Sequence, residues 1–251
     1  MITSNDLSNK VALITGGSNG IGASTVEMLA KAGAKVIVGF YSGEKRAIEL
    51  INSLPKNDHQ ILKINLEEKK DTKRIFKFIE SKYGKLDILI NSAGFTKPIP
   101  HKDIEKLNCD LFDKILLANA RGPYLIIREL IPLLQMSEEG SVVVNVSSIS
   151  AFTGSGSNIA YCAAKAAVDT MTMSLARVFG PKIRFLCVSP AAVDTGFVEG
   201  RDRITLEKLA LQTPLGEVVE PKDVALSIMA CITHLKTSTG TRVIIDGGKH
   251  L

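Results

Sequence analysis

Short β-branched runs alternate with longer helical patterns along the whole chain, and no other feature limits its possible folds as sharply. The runs are Val11–Thr15, Lys35–Val38, Ile61–Ile64, Leu86–Ile90, Val142–Val146, Ile183–Val188 and Arg242–Ile245. Each is almost unbroken in apolar residues, as strands covered on both faces of a parallel sheet must be. Between them, helical patterns run over 22–32, 44–54, 68–83, 105–118, 122–136, 158–179 and 221–234. This order predicts one α/β domain over residues 1–251, a doubly wound, seven-stranded parallel sheet with helices on both faces. Hydrophobic residues make up 45% of the chain, enough for the two cores such a sheet needs. No linker, repeat or low-complexity tract divides it.

Two segments interrupt the alternation. Residues 149–157 are rich in Ser and Gly and join the fifth run to the helical stretch 158–179. Residues 191–215 hold Gly196, Gly200 and a short helical pattern with Phe197, Val198, Ile204, Leu206, Leu209 and Leu211. A long, partly apolar excursion after a strand reads as a substrate lid over a cleft. Within it, Arg201 and Arg203 are placed to meet an anionic group, although solvated loop charges explain them as well.

Charge and special residues exclude several classes. The net charge is only +5, and the densest basic piece, Lys69 to Lys82, is broken by Asp71 and Glu80. That piece reads as the wet face of a helix, so no nucleic-acid partner is expected. No apolar run approaches the ~20 residues needed to span a bilayer, so no membrane partner is expected either. MITSNDLSNK lacks the basic-then-apolar pattern of an export signal. Cys109, Cys162, Cys187 and Cys231 all sit in apolar surroundings without CxxC spacing. Four buried free thiols in a reducing, cytoplasmic setting are expected. The four histidines are dispersed, so no metal site is expected.

The first run leads straight into TGGSNGIG, Thr15 to Gly22, and then into a helix. Gly16, Gly20 and Gly22 permit a tight turn, close approach of an anion and close helix–strand packing. The helix start then offers free backbone N–H groups to a phosphate. Gly17 and Gly22 have the separation of a nucleotide-triphosphate loop, but Ala23 stands where that loop needs lysine. The turn therefore points to a dinucleotide. An acid after the second strand would bind a ribose 2′-hydroxyl. Here the chain reads Gly39, Phe40, Tyr41, Ser42, with no acid before Glu44, and Ser42, Lys45 or Arg46 is placed to approach a 2′-phosphate. This favours NADP(H) over NAD(H), although Asn19 brings no positive charge to the turn.

Tyr161 and Lys165 lie four residues apart in NIAYCAAKAAVDTM. On a helix they share one face. A cation beside a phenol favours the phenolate and lowers its pKa by roughly one to three units. The pair reads as an acid/base device in which Lys165 lowers the tyrosine pKa. Cys162 reads as helix packing rather than as a nucleophile.

Together these motifs resemble the short-chain dehydrogenase/reductase family, in its one-domain, Rossmann-type branch, similar to 3-oxoacyl-[acyl-carrier-protein] reductases. TGGSNGIG resembles the family's TGxxxGIG, NSAG (Asn91 to Gly94) its NNAG, Tyr161 and Lys165 its YxxxK, and SPAAVDT (Ser189 to Thr195) its PGxVxT. The resemblance implies four catalytic groups: Asn119 in LLANARG, Ser148 rather than Ser147 in NVSSIS, Tyr161 and Lys165. Tyr161 would exchange a proton with the substrate oxygen, and Ser148 would hydrogen-bond that oxygen. Lys165 would also bind the nicotinamide ribose, and Asn119 would hold a water that links Lys165 to solvent. Around the dinucleotide the resemblance places Gly16, Ser18, Asn19, Gly20, Ile21 and Gly22, then Tyr41, Ser42, Asn65 and Leu66, then Asn91, Ala93 and Gly94. Tyr161, Lys165, Pro190, Ala191, Val193 and Thr195 complete that set.

Four positions depart from the family pattern. Ser92 replaces an asparagine that ties the sheet, Asn65 replaces an acid near adenine, Leu186 replaces an asparagine, and Ala191 replaces a glycine. The implied activity is an NAD(P)H-dependent interconversion of a ketone and a secondary alcohol on a small carbonyl or alcohol substrate. A carrier-bound 3-oxoacyl chain is one option. Glu138 and Glu139, before the fifth run, would repel an acidic carrier near the cleft, with Lys182 and Arg184 compensating in part. Sugar or steroid alcohols are the alternatives. A non-catalytic dinucleotide sensor is the contrasting class, and the retained Tyr161 and Lys165 argue against it. The resemblance also implies a homotetramer or homodimer built on 122–136 and 158–179.

Overall fold

The seven β-branched runs pair as seven strands in a computed structural model that describes residues 6–251. Residues 1–5, which open the stretch read for an export signal, lie outside the described residues. The strands are β1 (Val11–Thr15), β2 (Lys35–Phe40), β3 (Gln60–Lys63), β4 (Ile88–Asn91), β5 (Ser141–Val146), β6 (Ile183–Pro190) and β7 (Thr241–Ile245). All pair in parallel, in the order β3-β2-β1-β4-β5-β6-β7. The order reverses between β1 and β4, and there the ends of the strands leave a crevice.

Successive side chains of a strand point to opposite faces, so one apolar run feeds two cores. Ala12, Ile14, Val36, Val38, Ile88, Ile90, Val142 and Val144 pack on one face beneath α1 (Gly20–Lys31) and α9 (Pro221–Thr233). Leu13, Ile37, Leu89, Val143 and Phe185 pack on the other beneath α3 (Lys69–Tyr83) and α5 (Gly122–Gln135). Ile75 and Ile79 anchor α3, which leaves its lysines to solvent. The remaining helices are α2 (Glu44–Ser53), α4 (Cys109–Leu116), the four-residue α6 (Ser150–Thr153), α7 (Ile159–Phe179) and α8 (Arg203–Ala210).

The structure departs from expectation in informative places. The stretch 105–118 begins its α-helix only at Cys109, because Asn108 caps it by accepting the Leu111 N–H at 2.9 Å. Cys109 is therefore on an exposed first turn, while Cys162, Cys187 and Cys231 are buried free thiols. Between α4 and α5 the chain does not break. It passes through a π turn, Leu117–Arg121, that contains Asn119. Strand β4 begins at Ile88 rather than Leu86, whose N–H donates to the Leu133 carbonyl near the end of α5. No helix among the described residues is long and apolar enough to cross a membrane.

Candidate active site

The C-terminal ends of β1, β2, β5 and β6, with the start of α1, enclose a cleft of about 720 Å³. At one end lies the glycine turn. Gly16 has φ +66°, and a Cβ there would sit 2.9 Å from the Ala93 backbone. A Cβ on Gly22 would collide with the Gly16 carbonyl, so only glycine lets α1 start this close to β1. Thr15 Oγ1 ties the turn to the next loop by accepting the Ser92 and Ala93 N–H groups, each at 3.2 Å. Asn19 makes no side-chain cap, and no acid lies in the first turn of α1. A helix start left open in this way fits an anionic pyrophosphate.

The next section of the cleft is lined by Tyr41, Ser42, Gly43 and Arg46. The Arg46 guanidinium folds over Gly43 beside Ser18: a Cβ on Gly43 would meet Arg46 Nη2 at 2.5 Å and Ser18 Oγ at 2.7 Å. Lys45 points away and approaches Glu49 at 4.0 Å. Of the two basic candidates, only Arg46 lines the cleft. Asn65 and Leu66 line its far wall. The Asn65 amide is engaged locally, donating to Glu68 Oε1 at 3.3 Å and accepting the Glu67 N–H at 3.0 Å.

At the other end, α7 presents Tyr161 and Lys165 to the cleft together. Lys165 Nζ lies 5.5 Å from the centre of the Tyr161 ring and donates to the Val146 carbonyl at 2.7 Å. Burial pulls the Lys165 ammonium down to about 8, opposed by Cys187 and Asp169. Burial also pushes the Tyr161 phenol well above its usual range, while Ser148 and Arg201 ease it down. The Lys165 ammonium is turned towards a backbone carbonyl, and Arg201 lines the same cleft as a second cation.

Ser148 stands beside the phenol, fixed by the Ser150 N–H donating to its oxygen at 3.1 Å and by its own bond to Ser150 Oγ at 3.1 Å. Ser147 also lines the cleft, but its hydroxyl is directed to the Lys165 carbonyl at 3.5 Å. Asn119 is buried and does not line the cleft. Its amide donates to the Phe95 carbonyl at 2.6 Å and the Ile115 carbonyl at 2.9 Å. Asn91 is also buried away from the cleft. It donates to Asn145 Oδ1 at 2.9 Å, and Asn145 donates to Thr172 Oγ1 at 2.9 Å, tying β4, β5 and α7. This chain supplies the sheet tie that Ser92 does not. Pro190, Ala191, Val193 and Thr195 line the cleft opposite Tyr161. No described non-glycine residue has positive φ, so Ala191 is accommodated without strain.

A family model described as enoyl-(acyl carrier protein) reductase matches residues 16–250. The chain belongs to the short-chain dehydrogenase/reductase family. It is 33% identical over 250 residues to a 7α-hydroxysteroid dehydrogenase of Bacteroides fragilis, covering 97% of this chain and 95% of the relative. It is 31% identical over 247 residues to a 3-oxoacyl-[acyl-carrier-protein] reductase of Thermotoga maritima, covering 96% and 98%. Among solved structures, a dehydrogenase/reductase from Sinorhizobium meliloti matches with a TM-score of 0.88 at 28% identity, covering 100% of this chain and 99% of that one.

This short-chain dehydrogenase/reductase owes its active-site geometry to a residue that no motif marks. Asn158 is fully buried and caps α7 by accepting the Tyr161 N–H at 2.7 Å. Its amide donates to Thr96 Oγ1 at 3.1 Å and to the Lys97 carbonyl at 2.8 Å. The helix carrying the tyrosine is thereby fixed to the loop after β4. The signal available in the sequence is an Asn at the first position of the helical stretch 158–179, where a capping residue belongs.

In segment 191–215, Phe197, Val198 and Leu209 line the cleft, and Leu206 is buried beneath it. Ile204 and Leu211 face outward instead. The Phe197 ring lies 6.0 Å from the Tyr161 ring. Residues 137–139 precede β5 and so sit at the end of the sheet opposite the cleft. Glu139 pairs there with Lys10 at 2.6 Å. Arg184 donates to the carbonyls of Cys231 and Leu235 at 3.0 Å each. These charges therefore do not decide what enters the cleft, and the expected repulsion of a carrier beside it is withdrawn.

Proposed function

We propose that the protein is an NADP(H)-preferring oxidoreductase that interconverts a ketone and a secondary alcohol on a small molecule. The observation that carries this reading is the continuity of the cleft, from the open start of α1 to the phenol of Tyr161. A bound nicotinamide supplies the hydride for reduction and accepts it in the reverse direction. The Tyr161 hydroxyl gives its proton to the carbonyl oxygen and takes it back on oxidation. The Ser148 hydroxyl donates to the same oxygen as negative charge grows there. Lys165 holds a cation behind the phenol, and Asn119 holds the π turn that shapes this wall.

Preference for NADP(H) is supported by Arg46 and Ser42 at the ribose end and by the lack of an acid after β2. The names of the steroid dehydrogenase and oxoacyl reductase relatives support a ketone or secondary alcohol as the reacting group. A carrier-bound 3-oxoacyl chain, a sugar and a steroid are among the substrate options. Segment 191–215 serves as the lid, with Phe197, Val198 and Leu209 as its inner surface. A homotetramer or homodimer through α5 and α7, in a cytoplasmic setting that suits three buried thiols, completes the reading.

A ketone and alcohol panel with NADPH and with NADH, followed by nicotinamide absorbance, tests this. Turnover with at least tenfold better kcat/KM for NADPH is expected. Cofactor binding without turnover of any member favours a dinucleotide sensor instead. Arg46→Ala is expected to raise the KM for NADPH about tenfold or more and to leave NADH use nearly unchanged, since an exposed phosphate–guanidinium pair is lost only with the former.

A further inference from the structure

Two arginines in segment 191–215 have opposite fates. Arg203 is spent on structure: Nη1 bonds Asp194 and Glu220, and Nε bonds Glu207 at 3.1 Å. It pins the segment to the start of α9. Arg201 is half-buried and lines the cleft with Tyr161, Phe197 and Leu209. Among the described residues no carboxylate pairs with it. It follows Phe197 by four positions, and the Phe197 ring lies 6.0 Å from the Tyr161 ring. Partial loss of hydration is costly for a guanidinium unless an anion replaces the water.

The surrounding charge agrees. Lys114 and Lys249 line the same cleft, and the Lys114 ammonium sits 5.2 Å above the Phe95 ring. The one acid lining the cleft among the described residues is Glu67, which belongs to the far wall beside Leu66. The end that receives the substrate is therefore a positive field with apolar flanks, Phe197, Val198 and Leu209.

We propose that the substrate is a short oxo acid, reduced to the corresponding hydroxy acid, whose carboxylate pairs with Arg201. This rests on the ketone-reductase reading above and names its substrate class. Proximity sets the chemistry. The phenol must touch the carbonyl oxygen, and Arg201 sits on the same lid turn as Phe197, whose ring lies 6.0 Å from the Tyr161 ring, so a short molecule can span both groups. A thioester is uncharged at that distance and leaves Arg201 without a partner. A planar carboxylate matches the guanidinium with two parallel hydrogen bonds. The reaction balances as hydride to the carbonyl carbon and the Tyr161 proton to its oxygen, with the carboxylate unchanged.

The test compares 2-, 3- and 4-oxo acids with their methyl esters and with neutral ketones of equal length, in wild type, Arg201→Gln and Arg201→Lys. Wild type is expected to prefer one acid over its ester at least tenfold in kcat/KM. The preference should fall about tenfold or more in Arg201→Gln, chiefly through KM, and recover in part in Arg201→Lys. In a second readout, the matching hydroxy acid should raise the Tm of the wild type with oxidised cofactor and not that of Arg201→Gln. Turnover of ketones with no preference for the acid overturns the pairing alone. An equal loss on acid and ester in Arg201→Gln also overturns it, because Arg201 would then serve Tyr161 only. Absence of turnover on acids, esters and ketones alike defeats the ketone-reductase reading and this one with it.

Discussion

Burial and hydrogen bonding pull the Tyr161 phenol in opposite directions, and burial wins. At neutral pH the phenol keeps its proton, and Lys165, with its ammonium at about 8, keeps its charge. That state is set for reduction, which needs a proton to give. As pH rises through about 8 the Lys165 charge is lost, so reductive kcat/KM should be level below pH 8 and fall above it. Oxidation needs the phenolate, and since the phenol titrates far above neutrality its rate should rise with pH on both sides of pH 8. Profiles measured in both directions check this, and coincident profiles would refute it. Tyr161→Phe should lose roughly 10²–10⁴-fold in kcat, the worth of a positioned acid. Its Tm should stay close to that of the wild type, because the phenyl ring still packs beside Phe197.

The local geometry of that phenol is set by the ends of elements. Asn158→Ala removes the cap on the Tyr161 N–H and leaves the Lys97 carbonyl without its donor. A lost cap and a buried orphan cost about 1–3 kcal/mol together, which is on the order of 2–12 °C in Tm for a chain of this size. Activity should fall as well, since Tyr161 opens the next turn. Asn158→Asp keeps the cap and loses the amide donor, so scanning calorimetry should place it between the two. What the sequence reveals follows from the same physics. Burial is legible, so all seven strands and the long helices stand out as apolar runs. Pairing and capping are less so. Leu86 is as apolar as Ile88, yet its N–H turns to α5. The gap between 118 and 122 marks a place where the helical period fails, but not that a π turn carries Asn119 through it. Tyr161 and Lys165 stood out because a phenol and an ammonium four positions apart share one face of a helix, whereas Ser148 was picked out only by the resemblance to the family. Asn158 was not, because its role lies in contacts with residues some sixty positions away.

At the scale of the whole molecule the two ends of the sheet do different work. One end holds the cleft, and the other is closed by Lys10, Asp87, Glu139 and the carbonyls bound to Arg184. The flanks remain. Tyr124 on α5 and Met173 and Val178 on α7 are exposed at 43%, 41% and 70%. Exposed apolar residues gathered on two long helices suit association with further copies of the chain better than they suit water. Because these side chains already face solvent in the protomer, a charge placed on them leaves the fold intact and burdens only an interface. Met173→Glu is therefore expected to keep the wild-type Tm of a lone protomer while lowering the mass seen by light scattering. The wild type should run as four or two copies, and the variant as fewer. A wild type at one protomer's mass, or a Met173→Glu protein with unchanged mass, would remove α7 from the assembly. Dilution supplies the sign of the coupling: if the interface contributes to stability, Tm should climb with protein concentration in the wild type and not in the variant.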